Sequence, residues 1–315
     1  MTATERNAYN HIRRGAARSR AELARVMNVS RPTASAAADA LIAAGLLREG
    51  GKYRGEGGRY PTLLLPCAEA FSLIGVDLGG GDRMPGVRVN ALGEVIGSGF
   101  APPLQSASGA AEHVVGLWEQ LDPDFSAVGI GLAVPEGCGI EENELLRSLR
   151  RQLLGKYIHF SGRLSAAALS EGFCGGAEPC RDYLLLSWEH TVEAVICIGG
   201  RPFSGAHSLA GALRHLPAAA PDGGQADFAD ALAGLATGGM SDAGLSALCA
   251  SALRHALALL DPEAVVLAGR FSKCGEEFFQ LLSRRLRDFN CRVAPAKFGE
   301  FSAARGAAML THCSI

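Results

Sequence analysis

Two helix-start signals, Ser19 followed by Glu22 and Ser30 followed by Pro32, constrain the first 60 residues more than anything else in the chain. A serine hydroxyl at an N-cap accepts from a backbone N–H two or three residues on, and a Glu three residues later completes a capping box. Proline suits a first turn because its missing N–H has no partner to lose there. The spacing predicts a helix over 3–14 with Tyr9 and Ile12 on one face, and a second from Arg20 to Met27 that buries Leu23 and Val26. A turn at Asn28-Val29 follows, then a third helix through Ala40-Leu41-Ile42 to Gly45. Leu46-Leu47, a charged glycine-rich loop from Arg48 to Arg59 and Thr62-Leu63-Leu64-Leu65 read as two strands around a loop. That order is a winged helix-turn-helix.

Charge separates this head from the rest. Residues 1–60 hold 11 Lys and Arg against 5 Asp and Glu, a net of +6, whereas the remainder holds 19 against 27, a net of −8. A basic head on an acidic body predicts that only the head meets a polyanion. A helix in the major groove needs short polar side chains at its N-terminal turn with a basic residue beside them. Arg31, Thr33 and Ser35 supply that set and are the candidate DNA contacts. In the loop, glycines allow close backbone approach, and Arg54 and Arg59 are candidates for a narrow minor groove. Glu56 does not suit that role, and an exposed hairpin with solvated charges is the plainer alternative.

Nine cysteines are scattered without CxC or CxxC spacing. An odd count of unpaired spacing predicts free thiols in a reducing cytosol. The polar start Met1-Thr2-Ala3-Thr4-Glu5-Arg6 lacks a signal-peptide core, and no uninterrupted apolar run approaches the ~20 residues of a membrane span. The expected location is cytoplasmic, with no membrane partner.

Beyond Pro66-Cys67-Ala68-Glu69, read as a linker, strand and helix signals alternate. Strands are predicted at Leu73–Asp77, Ala127–Val134 and Ala264–Leu267, with a strand pair near 183–203 turning at Gly199-Gly200. Helices are predicted near 109–121, 143–154, 164–172, 242–260, 275–288 and 302–312. Alternation of this kind implies an α/β fold. No repeat of fixed period is visible.

The residues then resemble the ROK family (repressor, open reading frame, kinase) in its repressor branch. Ser19-Arg20-Ala21-Glu22-Leu23-Ala24 with Val29-Ser30-Arg31-Pro32-Thr33 resembles its head, and Gly57-Gly58-Arg59-Tyr60-Pro61-Thr62 its wing. Gly75-Val76-Asp77-Leu78-Gly79-Gly80 resembles the first phosphate loop and Gly93-Glu94-Val95-Ile96 the turn after it. Gly129 to Pro135 resembles the sugar-side loop, and Ala166 to Glu171 the helix beyond the catalytic turn. Gly205-Ala206-His207 with Ala210-Gly211 and His215 resembles the segment before the zinc site, and Asp261 to Gly269 the nucleotide-side strand. The resemblance covers nearly the whole chain in the family's order. It implies a winged helix-turn-helix over 1–66 and a two-lobed actin-like (ribonuclease H-like) ATPase fold over 67–315. Lobe one would span about 70–172 plus the closing helix 302–312, and lobe two about 173–301.

The same resemblance exposes departures. Where the family's Asn-Asp-Ala-Asn turn carries the general base, this chain has Gly162-Arg163-Leu164-Ser165, and an arginine takes no proton at neutral pH. Gly-Gly-Thr-Lys of the first phosphate loop becomes Gly79-Gly80-Gly81-Asp82. The second, Gly-Thr-Gly-Ile-Gly, becomes Glu189-His190-Thr191-Val192-Glu193, with side chains where backbone must approach phosphate. Ala268 and Arg270 replace adenosine-side glycines. Met84-Pro85-Gly86 is expected to interrupt the strand after the first loop. Tetrahedral zinc needs four ligands, yet Leu216 to Asp242 contains no cysteine; no metal and no cofactor are expected. Of the sugar clamp, Ala212 replaces a Glu, Glu136 a glycine, and only His215 remains.

The expectation is a DNA-binding transcription regulator, a repressor, whose body has lost kinase chemistry and serves homodimerisation and effector sensing. Its partner is a double-stranded operator. Regulation through a protein docked on the body is the alternative, and an active sugar kinase with a DNA-binding head is disfavoured. Glu136, Arg163, Glu189, His190 and His215 form the candidate effector pocket. The charged ones among them either line a new polar site or pair internally and close the old cleft.

Overall fold

The computed structural model describes all residues except 14, 55–59, 80, 105–108, 190, 220–223, 238–240 and 313–315. The head holds α1 (Ala3–Arg13), α2 (Arg20–Met27) and α3 (Arg31–Ala43), then the antiparallel pair β1 (Leu47–Lys52) and β2 (Thr62–Pro66). Both serine caps form: the Ser19 hydroxyl accepts from the Glu22 N–H and the Ser30 hydroxyl from the Thr33 N–H. The reciprocal half of the box differs from expectation. The Glu22 carboxylate accepts from the Arg18 N–H at 2.8 Å, one residue before the cap. Asn28 ends α2 in the left-handed region, φ 53°, which asparagine tolerates better than most residues. Tyr9, Ile12, Leu23, Leu41, Leu47 and Leu64 close a small separate core. Val26, expected inside, is exposed, because Leu23 and Ala24 already fill the inner face of so short a helix.

The body contains two five-stranded sheets with one plan. The first comprises β3 (Ser72–Asp77), β4 (Met84–Asn90), β5 (Val95–Ala101), β6 (Gly129–Val134) and β7 (Tyr157–Gly162), in the order β5-β4-β3-β6-β7. The second comprises β8 (Tyr183–Trp188), β9 (Val192–Ile198), β10 (Arg201–Phe203), β13 (Ala264–Gly269) and β14 (Arg292–Pro295), in the order β10-β9-β8-β13-β14. In each, a three-strand antiparallel meander comes first and two parallel strands join on its far side. Between β10 and β13 lie the short pair β11 (Pro217–Ala219) and β12 (Gln225–Asp227).

Pro85 does not interrupt β4. It pairs in register with Phe100 of β5, whereas the pairing with β3 ends one residue earlier in space, at Val76 opposite Gly86. Proline is accommodated at a strand start with a free side.

Helices cover the sheets: α4 (Ala110–Leu121) and α5 (Glu142–Gln152) on the first, and α7 (Phe228–Thr237), α8 (Asp242–Leu260) and α9 (Glu276–Arg285) on the second. Helix α8 has the length and apolarity of a membrane span, with mean hydropathy 1.5, and half of it is buried. Its Leu245, Leu248, Leu253 and Leu257 lie in the second core.

Two helices, α6 (Arg163–Cys174) and α10 (Ser302–His312), fill the boundary between the sheets and pack against each other. Close approach is built into the sequence. A Cβ at Gly75 would stand 1.9 Å from the Ala304 carbonyl oxygen, and one at Gly131 2.0 Å from that of Ala307. Only glycine lets α10 lie so near β3 and β6.

Candidate functional site

The third helix presents a small polar N-terminus. Arg31, Pro32 and Thr33 are exposed, and the Thr33 hydroxyl lies 2.8 Å from that of Ser30. Ala34, Ala37, Ala38 and Leu41 face the core, which leaves Ala36 and Ala40 beside Thr33 on the outer side. Ser35 is half-buried. Lys52 and Arg54 are exposed at the base of the wing; Arg59 lies outside the described residues. Two exposed basic residues that sequence reasoning passed over, Arg25 on α2 and Arg48 on β1, belong to the same head. Their signal was only their charge.

Part of the head's positive charge is committed internally. The Arg20 guanidinium binds the Asp39 carboxylate of α3 through one nitrogen and Glu49 of β1 through another, at 2.6 Å for the latter. Arg18 lies over the Tyr53 ring at 5.3 Å. The Tyr53 hydroxyl donates to Glu22 at 2.6 Å, which with the Arg18 N–H holds that carboxyl below its usual range. Arg20 therefore positions α3 against α2 and the wing base rather than presenting charge. If the head reads DNA, replacing Arg20 by methionine is expected to weaken sequence discrimination while leaving the salt slope of binding unchanged. A phosphate-contacting arginine would lower that slope by about one. Anisotropy titrations across salt concentrations measure both quantities.

The cleft between the sheets is organised by one arginine. Asp77 ends β3 with its side chain fully buried. The Arg163 Nε lies 2.9 Å from both of its oxygens, and the Gly79 N–H donates to one of them at 2.9 Å. The outer nitrogen of Arg163 reaches Glu189, across the boundary on the β8–β9 turn, at 3.7 Å. Burial pushes the Asp77 carboxyl up, and the guanidinium and the Gly79 N–H oppose that shift. With Arg163 in place the remaining cavity is about 30 Å³, lined by Ala167, Leu185, Ser187, Gly269 and Ser302 among others. Small-molecule sites usually enclose about 300–1,000 Å³.

Of the five candidate pocket residues, Arg163 and Glu189 are brought together. Glu136 sits apart, in an open depression of about 280 Å³ formed by the Pro135–Ile140 turn with Cys138, Glu142 and Gly162. His215 lines neither depression. It is exposed, with Nδ1 3.3 Å from Asp227 and Nε2 accepting from Arg214 at 3.1 Å. His190 lies outside the described residues. Among the described residues no group of three or more His, Cys, Asp or Glu is placed to hold a metal ion.

No family model matches the chain. It is 27% identical over 220 residues to the xylose repressor of Caldicellulosiruptor bescii, an alignment covering 62% of this chain and 54% of that protein. The chain thus spans about half the length of the curated relatives it matches. Among solved structures it is similar to a ROK family transcriptional regulator, a homolog of the E. coli MLC protein. That likeness has a TM-score of 0.74 at 16% identity, over 98% of this chain and 95% of the other. It is also similar to a ROK family glucokinase from Streptomyces griseus, in complex with glucose and AMPPNP. Here the TM-score is 0.59 at 16% identity, over 76% of this chain and 98% of the enzyme. The fold is therefore α/β and actin-like in the body. The regulator's match extends over head and body together, whereas the enzyme's leaves about a quarter of this chain uncovered.

Proposed function

We propose that this chain is a ROK-family protein of the repressor branch, a sequence-specific DNA-binding transcription repressor acting in the cytoplasm as a homodimer, a reading supported by its likeness to a xylose repressor and to a ROK family transcriptional regulator. In this reading residues 1–66 bind a double-stranded operator and residues 67–315 form a body that carries out no phosphoryl transfer. The observation that carries it is the head itself. A capped α3 exposes Arg31 and Thr33 at its first turn, within a chain whose likeness to a transcriptional regulator extends over 98% of its length. A two-fold pair of such heads suits a palindromic operator. The absence of kinase chemistry is supported by Arg163, which the resemblance puts where the family carries its general base and which is tied to Asp77. We assign contacts to Arg31, Thr33 and Ser35 in the groove, and to Arg54 and Arg59 at the wing.

A duplex selected by the protein from a randomised pool tests the reading. Binding should weaken linearly with the logarithm of salt concentration, with a slope of about 0.9 per phosphate neutralised. The double change Arg31→Ala and Thr33→Ala is expected to erase discrimination against a scrambled duplex, about 1–3 kcal/mol per lost base contact. Undiminished discrimination by that variant would place the recognition surface elsewhere.

A further inference from the structure

Helix α6 touches three parts of the molecule. Its first residue, Arg163, holds Asp77 in the cleft. Its middle accepts a hydrogen bond from the second sheet, the Tyr183 hydroxyl donating to the Ala168 carbonyl at 2.9 Å. At its last turn the Phe173 ring lies under the Arg13 guanidinium of α1, 4.7 Å away. Ten residues of helix, about 15 Å, separate Arg163 from Phe173.

The far end of α6 is built into a rigid block. Arg305 of α10 is 3% exposed. It donates to the Gly93 carbonyl at 2.7 and 3.1 Å and to the Ser170 hydroxyl at 3.2 Å. Glu171, fully buried, accepts from the Lys297 and Phe298 N–H groups and from the Ser302 hydroxyl. Helix α6, the start of α10 and the β4–β5 turn are thereby one unit. Helix α1 rests on that unit through Arg13 on Phe173 and the Tyr9 hydroxyl donating to the Ala91 carbonyl at 3.3 Å. On the same face of α1, Arg6 and Asn10 each bury a polar atom that has no hydrogen-bond partner among the described residues.

We propose that α6 is the coupling element of this protein: Arg163 fills the cleft and fixes one end, and Phe173 presents the seat of α1 at the other. Release of Arg163 from Asp77 and Glu189 tilts the helix and loosens the head from the body. An effector acts in this scheme by competing for the carboxylates that Arg163 now occupies. The DNA-binding arm of the test rests on the regulator reading above; the exchange arm does not.

The experiment uses the full chain. The matched neutral variant Asp77→Asn with Arg163→Met removes the ion pair without leaving a buried charge, and Glu189→Gln weakens only the outer contact. Hydrogen exchange followed by mass spectrometry reads the amides of residues 3–13. Phe173→Ala removes the seat directly and sets the scale of the response. The expected result is faster exchange in 3–13 for the neutral pair, a smaller effect for Glu189→Gln, and unchanged protection in β13. Faster exchange confined to the neighbourhood of residues 77 and 163, with 3–13 at wild-type protection, overturns the proposal. In the DNA arm, the neutral pair is expected to change affinity for the selected duplex by about fivefold or more. That change should vanish when Arg13→Ala is also present, as a double-mutant cycle requires of coupled groups. A change of equal size in both backgrounds counts against the coupling. A chain that binds no duplex in any form rejects the regulator reading, while the exchange result still decides the coupling.

Discussion

Arg163→Ala is expected to lower the unfolding free energy by about 3–5 kcal/mol, because it leaves a buried carboxylate without its counter-ion. Asp77 is fully buried and takes two contacts of 2.9 Å from the Arg163 Nε. The Gly79 N–H also donates to it. The penalty lies in the orphaned charge rather than in the pair, and this separates two outcomes. Removing both charges with Asp77→Asn and Arg163→Met should bring stability back to within about 1 kcal/mol of wild type, or above it, since neutral replacement of a buried ion pair is often neutral or stabilising. Urea denaturation of the single and double variants measures both. An Arg163→Ala protein as stable as wild type would mean that water or another cation enters the space the guanidinium vacates and takes its place on Asp77.

The second large effect is expected at Gly306. A Cβ there would stand 1.8 Å from the Ala166 carbonyl oxygen and 2.4 Å from its carbon. Helices α6 and α10 touch backbone to backbone at this point, and the obstructing atoms are not a side-chain tip that could turn away. Gly306→Ala must therefore separate the two helices that fill the boundary between the sheets. Overpacking usually costs about 1–3 kcal/mol and occasionally more; with backbone as the obstacle, a loss of more than 3 kcal/mol is expected. A low soluble yield should accompany it. Gly116, in the middle of α4, is the control, since nothing lies within 4 Å of a Cβ built there. Gly116→Ala should stabilise by about 0.5–1 kcal/mol through helix propensity. Parallel thermal melts of the two variants should move in opposite directions.

How much of this was legible beforehand depends on whether a feature is local. Ser19 and Ser30 announce their helices because capping acts over three residues, and both caps form. The strand at Leu73–Asp77 and the helix over 302–312 were readable for the same reason. Strand β7, Tyr157-Ile158-His159-Phe160-Ser161-Gly162, was not predicted, since its pattern alternates weakly and its place is set by pairing with β6. Strand β4 was expected to break at Pro85, and register decided otherwise. The duplicated sheet plan leaves no trace as a sequence repeat, because it lies in strand order and direction rather than in residue identity. At the cleft, Arg163 was conspicuous as a residue type, but its partner Asp77 lies 86 positions away. Nothing in the one-dimensional pattern chose between a lined pocket and an internal pair. In the head, Arg18 and Arg20 add to the net positive charge, and only the structure shows that Arg18 lies over Tyr53 and Arg20 pairs with Asp39.

Helix α10 carries a consequence for how the molecule comes into being. Its Arg305 holds the Gly93 carbonyl across 212 positions of chain, and its backbone lies against β3 and β6 at contacts only glycine permits. A growing polypeptide that has not reached residue 302 has a sheet with one face uncovered and a boundary without half of its filling. The head, by contrast, closes its own core from residues 8–64. During synthesis the head is thus complete long before the body exists, and a prematurely ended chain would carry a folded head on an unfinished base. Long-range closure of this kind is slow. The seat beneath the head is therefore finished only when α10 docks beside α6 and its Arg305 takes the Gly93 carbonyl.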